Sequence, residues 1–245
     1  MMQFLKSHPF AVEAYFDSSV VLSFAVPKEQ LIQLIPPCLE LDLLKEQYGF
    51  IAVAMVQTRK LRPKGFPAFM GNDFFLIGYR IFVRYKTSEG KRLRGLYILR
   101  SETDKKKMEW LGSIFTQYKY HTIDIRPQRE KDTQLIQSDS SGLLVKFRRV
   151  EQEIPLPIHS PFSDWKEARR FAGPLPFTFS YLEREKKVLI VEGVRSNWTP
   201  KPIQVLEYEI PFLETLGLET PVLANAFEIR EIPYYWKKGK KDTWS

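Results

Sequence analysis

A chain of 245 residues that is 44% hydrophobic and 14% aromatic can bury a sizeable core as one large domain or two small ones, which excludes general disorder. Its single cysteine, Cys38, excludes an internal disulfide framework and a cysteine-built metal cluster. Lys plus Arg outnumber Asp plus Glu by 37 to 29, and the resulting net charge of +8 suits anionic partners: nucleic acid, acidic membrane surfaces or small anions.

The opening segment MMQFLKSHPF lacks the sustained apolar run of a secretory signal, and no stretch is long and apolar enough to span a membrane. A cytoplasmic protein without membrane contact is the expectation. Two runs rich in Val, Ile and Phe, residues 20–26 and 50–58, are predicted strands. Between them PKEQLIQLIPP reads as a helix opened by Pro27 and stopped by Pro36 and Pro37, followed by an alternating strand over 39–44. Residues 62–72, with two prolines and two glycines, form a loop.

A long antiparallel hairpin is predicted next, FFLIGYRIFVRYKT and RLRGLYILRSET joined by the turn SEGK. Met108, Leu111, Ile114 and Phe115 fall at helical spacing within 105–115, and the strand FTQYKYHTID follows. A second hairpin covers 133–151. Ser163 and Asp164 start a helix that Gly173 and Pro174 end. Four more short strands lead to a lysine-rich tail from Lys237, expected to be solvated and flexible. With no repeat or linker, residues 1–236 read as a single domain, α+β but mainly antiparallel β, with a few short helices.

Several familiar chemistries are missing from the sequence. It has no phosphate-cradling glycine loop, no G-x-S-x-G elbow and no H-E-x-x-H pattern, and His8, His121 and His159 lack ligand-like spacing, so neither a metal site nor a cofactor is expected. The strand FTQYKYHTID is more informative. Alternation puts Lys119, His121, Ile123 and Ile125 on one face, and Tyr118, Tyr120, Thr122 and Asp124 on the other. If the isoleucine face turns inward, Lys119 sits at or inside the core, where desolvation favours a neutral, nucleophilic amine. If that end has left the core, Lys119 extends into water. On the hairpin, Arg80 could receive a carboxylate bidentately, or lie on an outer face, and Arg100 and Glu102 could pair with each other.

The order helix, prolines, LELD strand, Arg-Pro-x-Gly loop, long hairpin, helix and Tyr-containing strand, from about Leu22 to Asp124, resembles the YqjF-like branch of the acetoacetate decarboxylase-like superfamily. The resemblance implies a β-barrel-like or cone-shaped fold with a central cavity. Acetoacetate decarboxylases carry a Lys-Lys pair in which the first amine forms a Schiff base and the second depresses its pKa. Lys119 falls at the first position, Tyr120 replaces the second lysine, and Leu76 stands where the family places a glutamate. The implied partner is a small anionic or oxo-acid ligand, met by Lys119 as the catalytic amine and by Arg80, Arg100, Glu102, Tyr118 and His121. A decarboxylating lyase is the more specific alternative, and a homo-oligomer is left open. Nucleic-acid binding, suggested by the basic and aromatic FVRYKTSEGKRLRGLY, is the remaining alternative.

Overall fold

The computed structural model describes residues 5–152, 154–173 and 175–244. Fourteen strands alternate with short helices: β1 (Val12–Pro27), α1 (Lys28–Leu31), β2 (Glu40–Leu41), β3 (Tyr48–Pro63), β4 (Asn72–Lys86), β5 (Arg92–Thr103), α2 (Lys106–Phe115), β6 (Tyr120–Thr122), β7 (Arg126–Glu130), β8 (Thr133–Ser138), β9 (Leu143–Arg149), α3 (Trp165–Phe171), β10 (Phe177–Leu182), β11 (Lys187–Arg195), β12 (Lys201–Glu209), α4 (Pro211–Glu214), β13 (Val222–Trp236) and β14 (Lys240–Thr243). Pairing is antiparallel except where β5 meets β10 and β6.

The strand order β11-β10-β5-β4-β3-β1-β13 closes on itself, because β13 also pairs with β11 through Gly193–Trp236, Val194–Tyr235 and Arg195–Tyr234. Seven strands thus make a ring, and β12, β9, β8 and β7 continue from β13 as an outer sheet. Ring strands bury both faces, which explains their nearly continuous apolar runs. On β3, Phe50, Ala52, Ala54 and Val56 face an inner core that α3 enters with Trp165 and Ala168, while Ile51, Val53 and Met55 face an outer core with Leu31, Val145 and Phe147.

Local sequence accounts for several boundaries. Asp164 caps α3 by accepting from the Glu167 amide at 2.6 Å, and Glu167 reaches back to the Ser163 amide at 2.7 Å. Pro174, expected to help end that helix, lies outside the described residues. The helix expected after Pro27 is one α turn followed by a 3-10 turn, Ile32–Leu34.

The C-terminal segment departs from expectation. Within it Lys240–Thr243 form β14, paired antiparallel with β11. Lys241 meets Glu185 at 2.9 Å, Lys237 meets Glu192 at 2.8 Å, and Asp242 accepts from the Tyr85 hydroxyl at 2.7 Å.

Candidate ligand cavity

The ring encloses a cavity of about 100 Å³ to which all seven of its strands contribute side chains. Arg80 enters from β4, Arg195 from β11 and Tyr234 from β13; Ser101 and Thr178 come from β5 and β10, and Tyr118 and Tyr120 from the segment after α2. Ser19 of β1 also lines it, and the rest of the wall is aliphatic or aromatic, including Leu76, Ile98 and Ile229. Among the described residues that line it there is no Asp, Glu, Lys or His.

Glycines shape this polar wall. A Cβ on Gly78 would stand 2.7 Å from Arg80 Nε and 2.9 Å from its Nη2, so the guanidinium folds back over a bare stretch of strand. A Cβ on Gly112 of α2 would run into the Tyr120 ring, and one on Gly193 into the Tyr234 hydroxyl. Each of these three polar side chains therefore holds its position where a glycine lets it approach backbone closely.

Electrostatics follow from the enclosure. Burial pulls the Arg80 pKa down, with the phenols of Tyr234, Tyr120 and Tyr118 opposing that shift and Arg195 adding to it. Burial likewise lowers Arg195, whose guanidinium lies 4.2 Å from the Trp198 ring centroid and 5.5 Å from that of Tyr234. Burial raises the Tyr120 phenol to about 12 and pushes Tyr118 and Tyr234 upward, so all three remain protonated donors at neutral pH. Arg80 Nε and the Tyr118 hydroxyl are buried without a hydrogen-bond partner; Thr178 lies near enough to favour the Tyr118 phenolate but does not reach hydrogen-bond geometry.

The positions expected from sequence divide between the two faces of the ring. Arg80 and Tyr118 reach the cavity. Arg100, Glu102 and His121 do not line it: Glu102, 1% exposed, pairs with Arg100 at 2.9 Å and accepts from the Tyr79 hydroxyl at 2.9 Å, in a cluster directed to the outer core. Burial raises the Glu102 pKa, while Tyr79, Arg100 and His121 pull it down. Lys119 is exposed, with a left-handed φ of 49°, outside the wall that its neighbours Tyr118 and Tyr120 line. Of the two placements left open for Lys119, the structure shows the one that extends into water. Ile125 is buried as expected, but in the outer core, because both faces of the sheet are apolar.

Sequence reasoning missed Arg195, Tyr234 and Trp198, which lie more than 70 residues beyond the hairpin. The only sequence signal for them was a Gly-x-Arg and a Tyr-Tyr-Trp at two strand ends.

The profile of the DUF2071 family, described as an uncharacterized conserved protein, matches residues 14–228. The chain belongs to the DUF2071 family. No curated protein matches this DUF2071 chain. Among solved structures it is similar to acetoacetate decarboxylase from Legionella pneumophila, with a TM-score of 0.63 and 10% identity over 96% of this chain and 87% of that one. It is also similar to an acetoacetate decarboxylase-like enzyme from Sphingomonas wittichii, with a TM-score of 0.61 and 11% identity over 97% and 94% of the two chains. A third is the enduracididine biosynthesis enzyme MppR complexed with pyruvate, with a TM-score of 0.57 and 9% identity over 95% and 90%.

The DUF2071 chain thus shares the fold of the acetoacetate decarboxylase-like enzymes. Leu76, where the resemblance implies a glutamate, lies in the cavity wall, and Tyr120 lies there too, at the position of the second lysine. Several of the aromatic and basic side chains of the hairpin are committed within the fold. Phe82 and Tyr85 are buried, and Arg84 and Arg94 are held by the fully buried Asp42 at 2.6 Å each.

Proposed function

We propose that this protein binds a small carboxylate of the oxo-acid class in the ring cavity, held by Arg80 and Arg195 without Schiff-base formation. The observation that carries this reading is the pair of guanidinium groups in an enclosed cavity lined, among the described residues, by no acid. An uncompensated buried cation is costly, and an incoming carboxylate would relieve that cost through charge-assisted, bidentate hydrogen bonds. The protonated phenols of Tyr118, Tyr120 and Tyr234 add donors that suit a carbonyl oxygen. Support also comes from the similar fold of MppR, a protein solved with pyruvate. Among the described residues no amine lines the cavity, so carbinolamine and imine chemistry has no nucleophile from them there, which disfavours decarboxylation through Lys119.

The test is calorimetric titration of pyruvate and longer 2-oxo acids into wild type and two variants. Arg80→Met is expected to weaken binding by about 100-fold or more, the range for truncating one partner of a buried charge pair, while leaving the stability of the unliganded protein equal or higher. Lys119→Met is expected to bind normally, and borohydride with an oxo acid is expected to leave no adduct. Unchanged affinity in Arg80→Met, or a reduced adduct on Lys119, overturns the proposal.

A further inference from the structure

A second void of about 170 Å³ lies beside the ring cavity, between α2 and the chain around β3 and β4. Its wall is built largely of apolar side chains, among them Val12, Leu61, Phe74, Met108, Leu111 and Phe115. The charged residue in that wall, Arg62, is fully engaged, meeting Glu13 at 2.7 Å and the carbonyls of Lys60 and Phe66 at 2.8 Å each. His8 also lines it and is neutral at physiological pH, because burial lowers its pKa to about 4.

Leu76, Tyr118, Tyr120 and Trp236 line both voids, so one layer of side chains separates the apolar space from the guanidinium groups. Two polar groups at this junction are more than nine-tenths buried and carry unpaired atoms: the Tyr118 hydroxyl and His8 Nε2, whose rings lie 5.5 Å apart. An apolar void of this size left empty is destabilising, since its lining forfeits contacts. An apolar void that shares a single layer of side chains with a cationic cavity becomes a site with a charged end and a greasy end when that layer parts.

We infer that the two voids form one bipartite site, and that the ligand is an amphipathic monocarboxylate. Its carboxylate lies between Arg80 and Arg195, and its alkyl or aryl tail occupies the space against Leu111 and Phe115. This inference rests on the carboxylate reading above and narrows it to acids with a sizeable apolar tail.

The experiment measures the affinities of straight-chain carboxylates from acetate to decanoate, and of their 2-oxo counterparts, for wild type, Leu111→Trp, Leu111→Ala and Arg80→Met. Wild-type affinity is expected to rise roughly threefold to fourfold per added methylene until the tail space is filled. Leu111→Trp is expected to remove that dependence while leaving the short acids unaffected, and Leu111→Ala to move the best length upward, which keeps the test informative if the larger side chain is not accommodated. A flat length series with Arg80→Met still defective overturns the tail site and leaves the carboxylate reading standing. Octan-1-ol binding as tightly as octanoate, with Arg80→Met unimpaired, overturns the carboxylate reading itself.

Discussion

His8 shows how a single residue couples enclosure to stability. Its ring packs against Tyr118, its Nε2 has no partner, and burial lowers its pKa from 6.5 to about 4. The folded state therefore keeps His8 neutral in a pH range where the unfolded chain protonates it. The unfolded state binds the extra proton between pH 6.5 and 4, so stability is undiminished above 6.5, falls as pH drops through that window and levels off below it. The shift corresponds to about 3 kcal/mol. In urea denaturation at pH 7 and pH 4, His8→Phe is expected to shrink the stability gap between the two conditions by that order. An unchanged gap would mean that His8 is not held neutral. Cys38 is the quieter counterpart: burial raises its thiol to about 11, so it behaves as a small hydrophobe.

At the level of elements, the β4–β5 pair and α2 decide which side chains meet. Tyr79 pairs with Arg100 but Arg80 pairs with Ile98, so Leu99 is an extra residue, a bulge that reverses the alternation of β5. Ile98 and Ser101 consequently face the cavity, while Arg100 and Glu102 turn to the outer core. Strict alternation would have kept Ile98, Arg100 and Glu102 on one face. Glu231 in β13, with a φ of 56°, similarly lets Ile229 and Ile232 both reach the cavity.

On α2, Gly112 gives up helix propensity to seat Tyr120. Gly112→Ala should gain about 1 kcal/mol from propensity and lose about 1–3 kcal/mol from displacing the ring, for a net destabilisation. In a Tyr120→Ala background the same substitution is expected to become stabilising, a sign change readable by urea denaturation in a double-mutant cycle. Additive effects would show that the glycine does not seat the ring.

Across the whole molecule, the ring closes through a short seam. β1 pairs with β3 along almost its whole length, whereas β11 meets β13 at three residue pairs, one of which is Arg195–Tyr234 in the cavity wall. Ligand contacts and ring closure therefore depend on the same backbone. Segments 193–195 and 234–236 are expected to exchange amide hydrogens faster than the centre of β3, by local opening, and a bound oxo acid is expected to slow exchange there more than elsewhere. Uniform protection with and without ligand would separate the seam from binding. β14 reinforces this region by pairing with Lys187–Ile190 along the same edge of β11 that β13 joins, opposite β10, and by tying Asp242 to Tyr85 and Ser88.

Strands, turns and the mainly antiparallel class were legible in the chain because apolar runs punctuated by Gly and Pro specify them locally, as in 50–58 and the 74–103 hairpin. The order of those segments also carried the superfamily resemblance, and alternation correctly grouped Tyr118 with Tyr120. Alternation did not say which face of FTQYKYHTID points inward, because only Tyr120–Thr122 forms a strand, paired with β5 outside the ring, and Lys119 precedes it with a left-handed φ of 49°. The exposure of Lys119, the bulge that turns Arg100 and Glu102 away, and the meeting of Arg80 with Arg195 and Tyr234 were decided only by closure of the ring. Side chains more than a hundred residues apart in the chain meet when distant strands pair, and no local pattern records that pairing.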